Sequence, residues 1–302
     1  MKKKLAAIAF AGMMAVGLTA GNVQVAEPSG EVYVFIAASL ANAMEDIQKD
    51  FNQKYPDVEI FYNADSSGTL QTQIEEGSRC DIFFSAATKQ MDALVEEKLA
   101  KEESVVNLLE NKVVLIKTKD TETRVTGFEN ITEAENLALA GEDVPVGQYA
   151  REIFTNLDIM DQVEAMEINE GKNVTEVLAA VTQGSNEVGV VYATDAASVA
   201  DQVEIIAEAS SDMLETPVLY PVGMIEDEEA LPEEKVAAET FFEYLQTENA
   251  LKVFEEHGFS PYTAEVEEND TEEAEDTQAD QKTDSEAEET GEASTEQEKT
   301  AE

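Results

Sequence analysis

VEIFYNADSSGTLQTQIEEG, residues 58–77, places an extended run directly before a helix, with small and polar residues at the junction. VEIFYN reads as a strand, and TLQTQIEEG reads as a helix closed by Gly77. The DSSGT between them has two physical readings. Ser, Thr and Asp side chains accept from the orphan N–H groups of a first helical turn, which makes the segment a cap. The same N–H groups and the helix dipole attract anions, which makes it one wall of an anion seat. Capping is the commoner use of these residues, so the rest of the chain has to decide whether the second reading applies.

Outward from this junction the alternation continues. VYVFIA is a short apolar run, and Leu40, Ala43, Met44, Ile47, Phe51 and Tyr55 follow it at helical spacing. Past Gly77 come DIFFSA as a strand, MDALVEEKL as a helix and KVVLIK as a strand. LALAG, helical YAREIFTNL and VTEVLAAVTQG, and the strand EVGVVYA repeat the theme. Strands separated by helices predict an α/β protein built around largely parallel sheets. The block PEEKVAAETFFEYLQTENALKVFEEHGF opens with Pro232 in a first turn, ends at Gly258 and follows the apolar strand TPVLYPVGMI. It is expected to return to the first sheet, leaving the middle of the chain as a second lobe.

The ends differ from the middle. Lys2, Lys3 and Lys4 precede an apolar run from Leu5 to Ala20, the layout of a secretory signal and short for a membrane span. Residues 1–26 are therefore expected to be a signal peptide, with the mature protein periplasmic or associated with the cell surface. Leu18, Thr19 and Ala20 resemble the start of a lipoprotein box, but Gly21 stands where an acylated Cys is required. The single cysteine, Cys80, rules out an intramolecular disulfide and reads as a small core residue. Residues 264–302 hold 17 acidic and 2 basic residues, one branched aliphatic and no aromatic. So little apolar surface cannot offset the entropy of ordering, so a disordered, solvating acidic tail is expected. A formal net charge of −47 with no basic stripe excludes nucleic acid as a partner.

In open α/β sheets ligands sit beyond the carboxyl ends of strands, where the following helices start. The first strand ends in AASL, with Ser39 at a helix entrance, and the second in DSSGTL, with Ser66 and Ser67 at another. VPVGQYA sets Val146 between Pro145 and Gly147 at a third. GKNVTEV sets Val174 between the candidate caps Asn173 and Thr175 at a fourth. Each alone reads as a cap. Together they are fit to converge on one anion.

VFIAASLANAMEDI, SSGTLQTQIEEG, CDIFFSA, VPVGQYARE and EVGVVYATDA resemble, in that order, the periplasmic molybdate-binding proteins of ABC importers. The resemblance runs from about Val32 to about Tyr262. It implies a two-lobed type II periplasmic-binding-protein fold with the oxyanion held in the cleft. Lobe 1 would comprise residues 31–111 and 218–263, and lobe 2 residues 112–217, joined by crossing strands near residues 112–117 and 217–225. By matching motif, molybdate or tungstate would be held by Ser39, Ser67 and Tyr192 through hydroxyls and by Val146 and Val174 through the main chain. The molybdenum would thus be held as its oxyanion, with no direct ligand from the protein. The implied partners are the membrane permease and ATPase subunits of an ABC importer, and the implied state is a monomer without a cofactor.

The chemistry of these residues suits that role. Molybdate is a tetrahedral dianion without a proton near neutral pH, so its receptor should offer donors, which Ser, Tyr and backbone N–H groups do. Helix N-termini add roughly 0.3–1 kcal/mol each when exposed and more when buried. Two positions depart from the family pattern. Asp65 precedes the serines and is expected to face solvent or cap a turn, and Lys172 is expected on the surface.

Two other readings compete with this one. The same fold accommodates sulfate, phosphate or a small organic anion, although a carboxylate normally attracts an Arg fork and Arg79, Arg124 and Arg151 lie away from the predicted strand ends. An enzyme using Ser39 or Ser67 as nucleophile needs a base, and the only His is His257, at the end of the last helix. With no G-x-S-x-G elbow, no P-loop and no His/Cys cluster, no enzymatic activity is expected.

Overall fold

The computed structural model describes residues 28–227 and 230–263. The signal-peptide and acidic-tail expectations lie outside the described residues.

The chain opens with β1 (Gly30–Ala37), whose Val32, Val34 and Ile36 are buried on one face and Phe35 on the other. A 3₁₀ turn, Ala38–Leu40, leads into α1 (Ala41–Lys54), which buries Ala43, Met44, Ile47 and Phe51 at helical spacing. Then follow β2 (Val58–Asp65), α2 (Ser67–Glu75), β3 (Ile82–Phe84), α3 (Thr88–Glu96) and β4 (Val106–Asn111). With helices on both faces, the central strands have no solvent side, which explains their continuous apolar runs.

One residue past β4, β5 (Val113–Thr118) begins a second sheet. It is followed by β6 (Asn136–Ala140), α4 (Pro145–Asn156), α5 (Met160–Glu164), β7 (Glu167–Gly171), α6 (Val174–Thr182), β8 (Val188–Tyr192), α7 (Ala193–Ser198) and β9 (Val203–Glu208). The chain then returns through β10 (Val218–Met224), α8 (Pro232–Leu245), α9 (Glu248–Glu256) and β11 (Ser260–Pro261). Strand order is β11-β4-β10-β3-β1-β2 in the first sheet and β7-β6-β8-β5-β9 in the second.

The last segment packs on the first sheet. Phe241 of α8 meets Phe51 of α1 edge to face at 4.8 Å, and Ser260 pairs with Glu110. Burying an aromatic such as Phe51 contributes roughly 1.5–3 kcal/mol. The helical block predicted as one piece is two helices, because Thr247 accepts from Ala250 N–H and starts α9 afresh.

Two expectations need correction. The sheets are mixed rather than largely parallel: β1 pairs parallel with β2 and β3, but β10 runs antiparallel to β3 and β4. In the second sheet β5 is antiparallel to both neighbours. The stretches expected to cross between lobes also stay home, since β5 pairs only within the second sheet and β10 only within the first. The chain passes from one sheet to the other at Lys112 and again across residues 209–217. Both differences arise because residues on either side of a passage must pair with strands distant in sequence, which local periodicity does not encode.

Short α7 is fixed by a buried carboxylate, as Tyr192 N–H donates to Asp195 Oδ2 at 3.1 Å. Burial raises the Asp195 pKa from 3.8 to about 7, against the lowering effect of that hydrogen bond. Between those values the unfolded chain has released a proton that the folded protein keeps. The contribution of this group to stability therefore falls as pH rises from about 4 to about 7 and is level above. Asp195→Asn, which retains the acceptor, should give a shallower decline of melting temperature over that window than the wild type. Parallel curves would show that Asp195 is already ionised in the folded protein.

Candidate functional site

Each of the five residues singled out in the sequence stands where a strand ends and a helix starts. Ser39 lies in the 3₁₀ turn after β1, with its Oγ 2.9 Å from the Tyr220 hydroxyl. Ser67 is the first residue of α2 and is fully buried. The adjacent serines divide the work. Ser66 caps the helix, accepting from Thr69 N–H at 3.1 Å. The Ser67 Oγ accepts from Ala86 N–H at 2.9 Å, which leaves its own proton to donate elsewhere.

From the second sheet come two helix starts. Pro145, the first residue of α4, has no N–H, so Val146 supplies the first donor of that helix. Gly147 allows this start to press on the end of β6: a Cβ there would lie 2.4 Å from the Ala140 carbonyl oxygen and 2.2 Å from that of Gly141. At α6, Asn173 is the cap, accepting from Glu176 N–H at 3.0 Å, and Val174 is the first helical residue. Residues this early in a helix have no carbonyl partner within it, so both N–H groups are free to meet a ligand.

Tyr192, the last residue of β8, is 2% exposed. Its hydroxyl is buried beside that of Tyr220, with no partner at hydrogen-bond geometry. The Tyr192 pKa is pushed well above the usual phenol value, chiefly by burial and then by neighbouring Tyr220, so the phenol keeps its proton.

Ser39, Ser67, Val146, Val174 and Tyr192 line one small cavity, completed by residues that include Asp65, Ala86, Pro145 and Asn173. No Lys or Arg is among the lining residues. Arg151 is turned to the carbonyls of Ala140 and Gly147, at 2.7 and 2.9 Å. Asp65, expected to face solvent or cap a turn, instead lines the cavity, with Oδ1 accepting from the adjacent Ser66 N–H at 2.8 Å and from Asn173 Nδ2 at 3.0 Å. Lys172 is exposed, its backbone N–H held by Glu176. His257 lies outside this lining and pairs with Asp46 Oδ2 at 3.0 Å. Among the described residues no cluster of His, Cys, Asp and Glu could hold a metal cation, and no helix is long and apolar enough to cross a membrane.

Sequence reasoning missed Asn111 and Tyr220. Asn111 Nδ2 donates to Thr194 Oγ1 at 2.9 Å and to the Tyr220 hydroxyl at 3.2 Å. The one cue was a polar residue ending β4, just ahead of the apolar strand β5. Tyr220 sits in an apolar strand, where nothing distinguishes it from core.

Comparison with known proteins agrees with this geometry. The profile of the bacterial extracellular solute-binding protein family matches residues 32–260. The putative ABC transporter substrate-binding lipoprotein YvgL of Bacillus subtilis is 41% identical over 226 residues, 74% of this chain and 84% of that protein. The molybdate-binding protein ModA of Haemophilus influenzae is 35% identical over 238 residues, covering 77% of this chain and 91% of its own. Among solved structures, the substrate-binding domain of a putative molybdenum ABC transporter from Clostridium difficile superposes with a TM-score of 0.58 at 34% identity. It covers 77% of this chain and 99% of that one. The fold is that of type II periplasmic binding proteins. These are solute carriers of transporters and not enzymes. The chain belongs to the bacterial extracellular solute-binding proteins, in the group that includes the molybdate-binding proteins of ABC transporters.

Proposed function

We propose that this protein captures molybdate or tungstate in the cavity lined by Ser39, Ser67, Val146, Val174 and Tyr192, and delivers it to the permease and ATPase subunits of an ABC importer. The observation that carries this reading is the partnerless Tyr192 hydroxyl, buried on the same cavity as a Ser67 hydroxyl whose proton is uncommitted. Leaving a buried hydroxyl unpaired costs about 1–3 kcal/mol, a cost offset when an oxyanion oxygen accepts from it. Neutral donors meet a dianion without any need for a cation in the lining. The names of the ModA relatives and of the Clostridium difficile domain support molybdate within that chemistry. The signal-like residues 1–26 and the family's extracellular character support an extracytoplasmic place of work.

Titration calorimetry, suited to a chain without Trp, should show molybdate and tungstate binding far more tightly than sulfate or phosphate. Sulfate is smaller and leaves donors out of reach, while hydrogenphosphate brings a proton of its own. Comparable sulfate and molybdate affinities would overturn the ligand assignment. Tyr192→Phe and Ser67→Ala each remove a hydrogen bond to a charged ligand, a loss of roughly 1.5–3 kcal/mol in binding. Wild-type affinity in both variants would move the site elsewhere.

The cavity is closed by contacts between elements of the two sheets. Asp65, the last residue of β2, meets Asn173 before α6, and a Cβ on Gly68 would clash with the Asp143 carbonyl oxygen. A ligand bonded from both sides favours this arrangement over an open one. Gly68→Ala should therefore weaken molybdate binding without unfolding the protein. In solution scattering the wild type should contract on adding molybdate. An unchanged radius of gyration with binding verified in the same sample would refute ligand-driven closure.

A further inference from the structure

Asn111 and Tyr220 lie behind the cavity rather than on it, and their hydrogen bonds can be assigned a direction. Asn111 is the last residue of β4, and its Oδ1 accepts from Lys112 N–H at 2.8 Å. That contact fixes the amide, since a flipped amide would set N–H against N–H. The two Nδ2 hydrogens then go to Thr194 Oγ1 at 2.9 Å and to the Tyr220 hydroxyl at 3.2 Å. Tyr220 is fully buried, and burial holds its phenol neutral, so it carries one proton. Its oxygen already accepts from Asn111, the Tyr192 hydroxyl lies beside it outside hydrogen-bond geometry, and the partner within that geometry is Ser39 Oγ at 2.9 Å. The phenol proton is thereby directed to Ser39, and Ser39, accepting from behind, turns its own proton toward the cavity.

We infer that Asn111 and Tyr220 form a one-way hydrogen-bond relay that obliges Ser39 to act as a donor toward the bound anion. The inference rests on the proposed oxyanion-binding role and names what sets its ligand class. A serine hydroxyl free to rotate can donate or accept, and so tolerates an anion that carries a proton. Held by the relay, Ser39 keeps its proton for the ligand, as Ser67 does while accepting from Ala86 N–H. The two serines, on different strand ends of the first sheet, are polarised alike and select oxyanions that arrive without a proton. Tyr220 and Asn111 are positioning residues, since neither is among those lining the cavity.

The test is a double-mutant cycle between Tyr220 and Ser39, read as molybdate affinity by calorimetry. Tyr220→Phe keeps the ring that packs edge to face on Tyr192 and Phe259, at 5.7 and 5.3 Å, and removes only the hydroxyl. In the wild-type background it should lower molybdate affinity about tenfold, as for a weakened hydrogen bond to a charged ligand. In a Ser39→Ala background the same change should lower it less than about twofold, because the relay has nothing left to act on. An equal loss in both backgrounds means Tyr220 acts through packing and overturns the relay, as does no loss in the wild-type background. Should Tyr220→Phe fail to fold, Asn111→Ala in the same cycle takes its place, with coupling to Ser39 again required. If the wild type binds sulfate in place of molybdate, the functional reading falls while coupling of Tyr220 to Ser39 in sulfate affinity still supports the relay; a preference for hydrogenphosphate overturns both. If it binds none of them, both fall.

Discussion

The Tyr192 hydroxyl is buried at the end of β8 beside that of Tyr220, and leaving such a group without an acceptor costs about 1–3 kcal/mol. The surrounding architecture makes sense as the means of holding that group in place. All five residues of β8 are buried, and the strand lies between β6 and β5. Tyr192 N–H is held by Asp195, and the next N–H, of Ala193, donates to the Lys112 carbonyl at 2.9 Å. A side chain whose backbone is fixed on both sides cannot swing away to find water, so its hydroxyl stays poised for whatever enters.

The same logic reconciles a formal charge of −47 with an anion as ligand. Exposed charges are screened beyond about 8–10 Å at ordinary ionic strength, whereas hydroxyls and helix-start N–H groups act at contact distance. The one carboxylate in the lining, Asp65, has an oxygen engaged by Ser66 N–H and Asn173 Nδ2. Part of its negative charge is thus met by donors of the protein itself. Arg151 is likewise turned to the Ala140 carbonyl that ends β6 and the Gly147 carbonyl in α4, so the α4 start is steadied without placing a cation in the lining.

Much of the site was legible in the sequence because it is built from local rules. A strand that ends in Ser, Gly or Asn before a helix has to satisfy its first N–H groups nearby, and those rules placed Ser39, Ser67, Val146 and Val174 at helix starts. Tyr192 came from the resemblance of VVYATDA, not from any periodicity. What escaped depends on contacts between distant parts of the chain. Asn111 and Tyr220 are 109 positions apart, and Asp65 and Asn173 are 108 apart. The antiparallel placement of β10 escaped for the same reason, since a strand carries no mark of the direction of its neighbours. The split between α8 and α9 was visible in principle, as Thr247 within an apolar pattern is a cap signal that a longer helical reading passes over.

Lys112 alone separates β4 from β5, while nine residues, 209–217, make the return passage. One residue spans at most about 3.3–3.6 Å, so on that side the sheets cannot slide apart. Asn111 grips the Lys112 N–H and Ala193 grips its carbonyl, which leaves the peptide little freedom of its own. Any opening is therefore a swing about this corner, with the longer passage taking up the slack. Tyr192 and Tyr220 stand beside this corner, paired into the strands that meet there. In a swing of that kind they travel least, while Asp65, Gly68 and Asn173, which touch elements of the opposite sheet, travel most.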